Sequence, residues 1–189
     1  MGSTQTGLSF SPFVAKLEAF LRMAGLKFKE KEAGPAERAL NPKGKVPFLT
    51  YNGEVIGDSQ LAIRFLLNTY SDLGVAEATD PAIKALGVLV RHTLEDFAFF
   101  GIVCERWRLH GGTEPACPPG FLFDSLPEPD RSRAWHRARE ARFEQVWGQG
   151  FARHSDADRD YLMDEWVQRR EGEMGRKGCE QAPDSSTGA

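Results

Sequence analysis

The chain has 189 residues, 41% hydrophobic and 27% charged, with 24 lysines and arginines against 27 aspartates and glutamates. A formal net charge of -3 makes no field that would gather nucleic acid or an anionic membrane surface, and the apolar content excludes bulk disorder and collagen-like order. No apolar run approaches the roughly 20 residues needed to cross a bilayer, and the opening MGSTQTGLSF lacks the basic start and apolar centre of a secretory signal, so a cytoplasmic protein without a membrane span is expected.

After that unpatterned opening, Ser11-Pro12 is a good helix start, because serine caps free N–H groups and proline at the first helical position loses no hydrogen bond. Phe13, Leu17, Phe20, Leu21 and Ala24 then recur at helical spacing, and Gly25 is a suitable stop. LKFKEKE alternates apolar and charged residues as a half-buried or edge strand would. AGPAERALNPKGK reads as a loop with at most a short helix, leading into the strand VPFLTY. Asn52-Gly53 is a strong two-residue hairpin signal, so VPFLTY and EVIG should pair antiparallel.

A helix from Ser59 to about Tyr70 follows, with Ile63, Leu66, Leu67 and Tyr70 on one face and Leu61 and Phe65 beside it, a pattern expected to be buried on more than one side. SDLGVAEATD is polar and small, a linker. Beyond it only helices are predicted. The first runs from Asp80-Pro81 to about Arg108 with Leu86, Val90, Leu94, Phe97 and Gly101 at helical spacing. After a break rich in glycine and proline, a second spans about Arg131 to Gly150 and a third Ser155 to about Glu171, opened by a Ser155/Asp158 capping box. The division expected is 1–71, a linker at 72–80, a helical domain at 81–173 and a disordered tail at 174–189, too poor in apolar residues to fold.

Pro47 stands where a strand should begin. Two readings are open: an edge strand tolerates proline at its start, or the Val46-Pro47 bond is cis and turns neighbouring backbone groups out of the sheet to pair with an extended peptide. A short anionic peptide would find a carboxylate site at the N-terminus of the next helix, through the Ser59 hydroxyl and the following amides, with Asp58 accepting from an ammonium group. A plain helix cap accounts for Asp58-Ser59 equally.

SPFVAKLEAFLRMAGLKF, NPKGKVPFLTYNGEVIGDSQLAIRFL and VWGQGFARHSDADRDYL together resemble glutathione transferase fold proteins over roughly residues 11 to 170, and within them the failed axon connections and metaxin-like branch. The N-P-x-G-x-V-P approach to the hairpin and its D-S exit are the specific part. The resemblance implies an α/β thioredoxin-like N-terminal domain followed by an all-α C-terminal domain, in a chain shortened at both ends. It implies glutathione as co-substrate, with Val46 before a cis Pro47 pairing to the cysteinyl backbone, Asp58 and Ser59 holding the γ-glutamyl end, and Lys43 or Lys45 meeting the glycyl carboxylate.

In that fold the residue that meets the glutathione sulfur lies at the start of the first helix, which makes Ser11 the candidate for thiolate stabilisation. The same serine is a preferred helix cap with no catalysis required. Relatives often carry cysteine where Val14 stands, so disulfide exchange is not expected. The fold also implies a central first strand just before that helix, for which TQTGLSF is a poor sequence.

Two functions follow: a transferase joining glutathione to a small apolar electrophile, with a homodimer by analogy of fold, or a non-catalytic binding or scaffold protein of the metaxin and failed axon connections kind. The basic run RSRAWHRAREAR is interleaved with glutamates and reads as a solvated amphipathic face carrying Trp135, Ala138, Arg142 or Phe143, and Val146. His92, His110, His136 and His154 lack metal-ligand spacing, and Cys104, Cys117 and Cys179 form no CxxC pair, so neither a metal site nor a disulfide is assigned.

Overall fold

The computed structural model describes residues 9, 11–107, 123 and 126–178, with side chains through 168. The chain divides into two compact units, Met1–Ala85 and Leu86–Ala189. The first opens with helix α1, Pro12–Met23, capped by the Ser11 hydroxyl, which accepts from the Val14 N–H. It stops where Gly25 takes φ +70°, a conformation that costs glycine nothing, and the Leu26 N–H closes back on the Leu21 carbonyl at 3.0 Å. A five-residue helix α2, Pro35–Ala39, interrupts the following loop.

Strands β1, Phe48–Tyr51, and β2, Glu54–Gly57, pair antiparallel from Phe48 opposite Gly57 to Tyr51 opposite Glu54. Asn52 and Gly53 both have positive φ in the intervening turn, the geometry that matches the twist of a two-residue hairpin. Helix α3, Ser59–Thr69, then lies against α1 and both strands. Leu17 and Leu21 of α1 meet Ala62, Ile63 and Leu66 of α3 in one core, to which Leu49 and Ile56 of the hairpin add. Each such side chain stabilises by about 1.5–3 kcal/mol when withdrawn from water.

Two expectations need correction here. LKFKEKE forms no ladder among the described residues, whose sheet has only β1 and β2. Its alternation is real in burial, with Leu26 and Phe28 half-buried between exposed Lys27 and Lys29, but one buried face does not supply a hydrogen-bonding neighbour. TQTGLSF, the poor sequence for a first strand, falls outside the described residues apart from Ser9. Secondly, α3 is not buried on several sides: Leu61 is 51% and Tyr70, just past its end, 37% exposed, because among the described residues α1 and the hairpin are the elements packed closely on it.

Residues 70–80 carry no regular structure. Helix α4, Pro81–His92, runs through a π-helical turn at Thr93–Ala98 into α5, Phe99–Trp107. Every residue of α4 is exposed except the half-buried Arg91, and the division between the units falls within it, beyond the linker expected at 72–80. The second unit continues with α6, Asp130–Gln149, ended by Gly150 in the left-handed region, a 3-10 turn at Phe151–Arg153, and α7, Asp156–Gly178. Ser155 caps α7, its hydroxyl accepting from the Asp158 N–H at 3.2 Å and donating to the Asp158 carboxylate at 2.6 Å. The helix continues past Glu171 into the segment assigned to the tail, where glutamate, methionine, arginine and lysine favour it and no proline intervenes before residue 183.

The second core gathers Val103, Cys104, Trp107, Trp135, Val146 and Phe151. Gly101 leaves room for Met163 of α7, whose Sδ a Cβ at residue 101 would overlap. Arg142 is half-buried on α6 and Phe143 is 37% exposed, so the arginine, not the phenylalanine, turns toward the core side. An α/β N-terminal unit of thioredoxin-like kind and an all-helical C-terminal unit are thus both present.

Candidate functional site

The site lies where the hairpin begins and ends. Val46-Pro47 is cis, and the Asp58 N–H reaches back to the Pro47 carbonyl at 3.4 Å, so the approach to β1 and the exit from β2 meet. Val46 itself precedes the ladder, and its N–H and C=O make no hydrogen bond among the described residues. Half-buried yet unpaired, they are an open edge of main chain.

Asp58 caps α3. Its Oδ1 accepts from the Gln60 N–H at 2.8 Å and the Leu61 N–H at 3.4 Å, and its Oδ2 accepts from the Lys43 ammonium at 3.0 Å. Burial opposes its ionisation, but the Lys43 bond and the two backbone donors outweigh that and hold the carboxyl below its ordinary range. The backbone there has φ +87°, an unusual conformation for a residue with a side chain, of the kind that persists only where surroundings fix it.

Ser59, the next residue, is 3% exposed, and neither its hydroxyl nor its N–H has a hydrogen-bond partner among the described residues. A buried hydroxyl is ordinarily paired. The other buried polar side chains, Glu18, Asn41 and Arg159, all are: Glu18 with Arg22 at 2.6 Å, Asn41 with the Lys45 carbonyl at 2.8 Å, Arg159 with the His154 carbonyl at 2.6 Å. The start of α3 therefore presents two unused donors and the helix dipole at one point, the chemistry of a carboxylate site.

Of the residues singled out in the sequence, Pro47, Asp58 and Ser59 are brought together with Val46 beside them. Lys43 is engaged on Asp58, whereas Lys45 is exposed and makes no ion pair among the described residues. Ser11 is used as the cap of α1, its hydroxyl 3.5 Å from the Val14 N–H and its own N–H 3.3 Å from Ser9 Oγ. Lys16, on the second turn of α1, donates to Gln60 Oε1 at 2.7 Å and so ties the helix that Ser11 begins to the first turn of α3.

Sequence reasoning missed Asn41. It is 3% exposed, lies against Gly57, and holds the loop that carries Lys43, Lys45 and Val46. An asparagine ahead of proline and glycine between a helix and a strand is a turn signal, and a glycine ending a strand marks close approach of another group, but neither signal names the other residue. A depression of about 730 Å³ lies elsewhere, walled by Arg22, Gly25, Leu26, Lys27, Phe28 and Glu30. Arg22 and Glu30 there stand 3.8 Å apart as an ion pair.

Chemically, an extended main-chain edge next to two unused donors and a partly buried carboxylate suits a short peptide bearing its own carboxylate and ammonium. Glutathione fits that set: its backbone would pair with Val46, and its γ-glutamyl carboxylate would satisfy Ser59. Cys104 offers no competing nucleophile, since burial, with the nearby Glu105 and against Arg159, pushes its thiol up to about 11. Among the described residues no three histidine, cysteine, aspartate or glutamate side chains gather as metal ligands, and no helix is long and apolar enough to cross a membrane.

A thioredoxin-like unit with its peptide-binding edge at the proline before the hairpin, followed by a helical unit, is the plan of the glutathione transferases. The sequence model of the glutathione S-transferase N-terminal domain matches residues 12–112, and the chain belongs to that family. Among curated proteins it is similar to Failed axon connections of Drosophila melanogaster, 33% identical over 90 residues. That match covers 46% of this chain and 21% of the relative, so the chain spans only part of the relative's length. No solved structure gives a significant match.

Proposed function

We propose that the first unit binds glutathione along the Val46 edge and joins its sulfur to a small apolar electrophile. The observation that carries this reading is the buried, unpartnered hydroxyl and N–H of Ser59 at the start of α3 beside the unpaired backbone of Val46. Ser59 would take the γ-glutamyl carboxylate, Asp58 would accept from the ammonium alongside Lys43, and Lys45, which makes no ion pair among the described residues, would meet the glycyl carboxylate. Ser11 would donate to the glutathione sulfur and favour its thiolate, its proton passing to water. The thiolate then forms the carbon–sulfur bond as the electrophile's leaving group departs with the bonding pair. We place this chemistry in the cytoplasm, where Cys104 would remain the free thiol that it is here.

Retention on immobilised glutathione and conjugation of a generic aryl halide test the two halves separately. Ser59→Ala should lose retention at least tenfold while unfolding at the same denaturant concentration within error, because the hydroxyl it removes has no partner to lose. Ser11→Ala should keep retention and lose conjugation. A wild-type protein that passes through the column unretarded overturns the reading.

A second reading, a non-catalytic binding or scaffold protein, is favoured by α4, where Ile83, Leu86 and Leu89 are 58%, 60% and 64% exposed. Its simplest occupant is a second copy of the chain. Dimerisation in sedimentation experiments, without retention on glutathione, would support this reading over the first.

A further inference from the structure

The groups assigned to the ligand sit on a loop with little regular structure, so something must fix them. Asn41 does so from below. Its backbone is tied at both ends, the N–H to the Arg38 carbonyl at 3.1 Å and the carbonyl to the Gly44 N–H at 2.7 Å. Both ends of its side chain are used as well: Nδ2 donates to the Lys45 carbonyl at 2.8 Å, and Oδ1 accepts from the Lys43 N–H at 3.2 Å. On the other side it presses on β2, where a Cβ at Gly57 would stand 2.3 Å from Oδ1 and 2.9 Å from Cγ.

The Lys45 carbonyl and the Val46 N–H belong to one peptide unit, which is planar and, between these residues, not cis. Pinning the oxygen inward on Asn41 therefore points the Val46 N–H the opposite way, outward from the loop. The second bond sets Lys43, whose ammonium reaches Asp58 at 3.0 Å. A single buried amide thus orients the open edge and the cation on the helix cap, using the hairpin as its backstop.

We propose that Asn41 is a positioning residue for the peptide-binding edge: clamped between Gly57 and residues 43–45, it aims the Val46 N–H at the ligand and seats Lys43 on Asp58. The proposal rests on the glutathione-binding reading for its ligand, but its structural half stands without it. Gly57 is part of the same device, since any side chain there would drive the amide out of place.

Asn41→Asp is nearly isosteric, keeps the acceptor for the Lys43 N–H and loses the donor to the Lys45 carbonyl. Gly57→Ala displaces the amide from the strand side without touching the loop. Each is to be measured for glutathione affinity by calorimetry, for melting temperature, and for the Val46 amide resonance by NMR in the absence of ligand. The expected result is at least tenfold weaker binding in both variants, a shifted Val46 resonance, and a cooperative unfolding transition retained. Affinity within twofold of wild type with an unmoved Val46 resonance overturns the proposal, whatever happens to the melting temperature. Should wild type itself not bind glutathione, the functional reading fails and the resonance alone decides: movement in both variants supports positioning by Asn41, and no movement in either overturns it.

Discussion

The two units differ in how one buried polar group of each is used. In the helical unit Arg159 is 6% exposed, and its guanidinium is spent internally, on the carbonyls of Ala152 and His154 and on the Asp156 carboxylate. In the first unit Ser59 is equally buried and has nothing. Their cores differ likewise: Trp107, Trp135 and Phe151 fill the second, whereas leucine, isoleucine and alanine on two helices fill the first. A buried donor left unmet among the described residues, beside an open edge of main chain, is where a new partner would gain most.

The largest expected effect would break the second unit alone. Trp107→Ala removes an aromatic ring 5% exposed, packed 6.4 Å from the Trp135 ring, and should cost about 3–5 kcal/mol in urea unfolding. Retention on glutathione by the folded fraction should persist, and its loss in step with unfolding would join the units that the comparison separates.

Arg159→Met tests the claim that the second unit's buried charge is fully used. Leaving the His154 and Ala152 carbonyls unpaired should cost about 1–3 kcal/mol; a variant as stable as wild type would remove the contrast with Ser59. Smaller still is the effect at Asp58. Its carboxyl is held below the ordinary range, so its contribution is present above the unfolded pKa of about 3.9 and is lost as pH falls through the folded value. Asp58→Asn keeps a good cap and gives up the charge, so it should cost under about 1 kcal/mol at pH 7. The difference in urea midpoint should shrink toward zero below pH 3, and a gap that stays constant with pH would show that the charge does not matter.

Much of the architecture was legible because it follows local rules. Asn52-Gly53 needs two positive φ angles, Ser11-Pro12 and Ser155-x-x-Asp158 are caps, and apolar spacing on α1 reports its buried face. Asp58, Ser59 and Val46 were legible as a group because the hairpin joins them in sequence. What could not be read depends on distant partners. LKFKEKE shows its buried face but not whether a strand lies beside it, and Leu61 and Tyr70 look like core until only one side of α3 is covered. Asn41 escaped for the same reason: its role is set by Gly57, and no local pattern ties residue 41 to residue 57. The unused state of Ser59 is likewise a fact about all its neighbours.

The π-helical turn at Thr93–Ala98 has an effect on phase. Leu86, Val90, Leu94, Phe97 and Gly101 form one stripe on an unbroken helix, yet Leu86 and Leu94 are 60% and 39% exposed while Phe97 meets Phe151 edge to face and Gly101 is buried. A π turn holds one residue more than the helix on either side of it, which is about 100° of rotation. The extra residue works like a slipped tooth in a gear. It sets the residues from 86 to 92 about 100° out of phase with α5, and excising one residue there would turn that leucine-rich surface to a new bearing relative to α5.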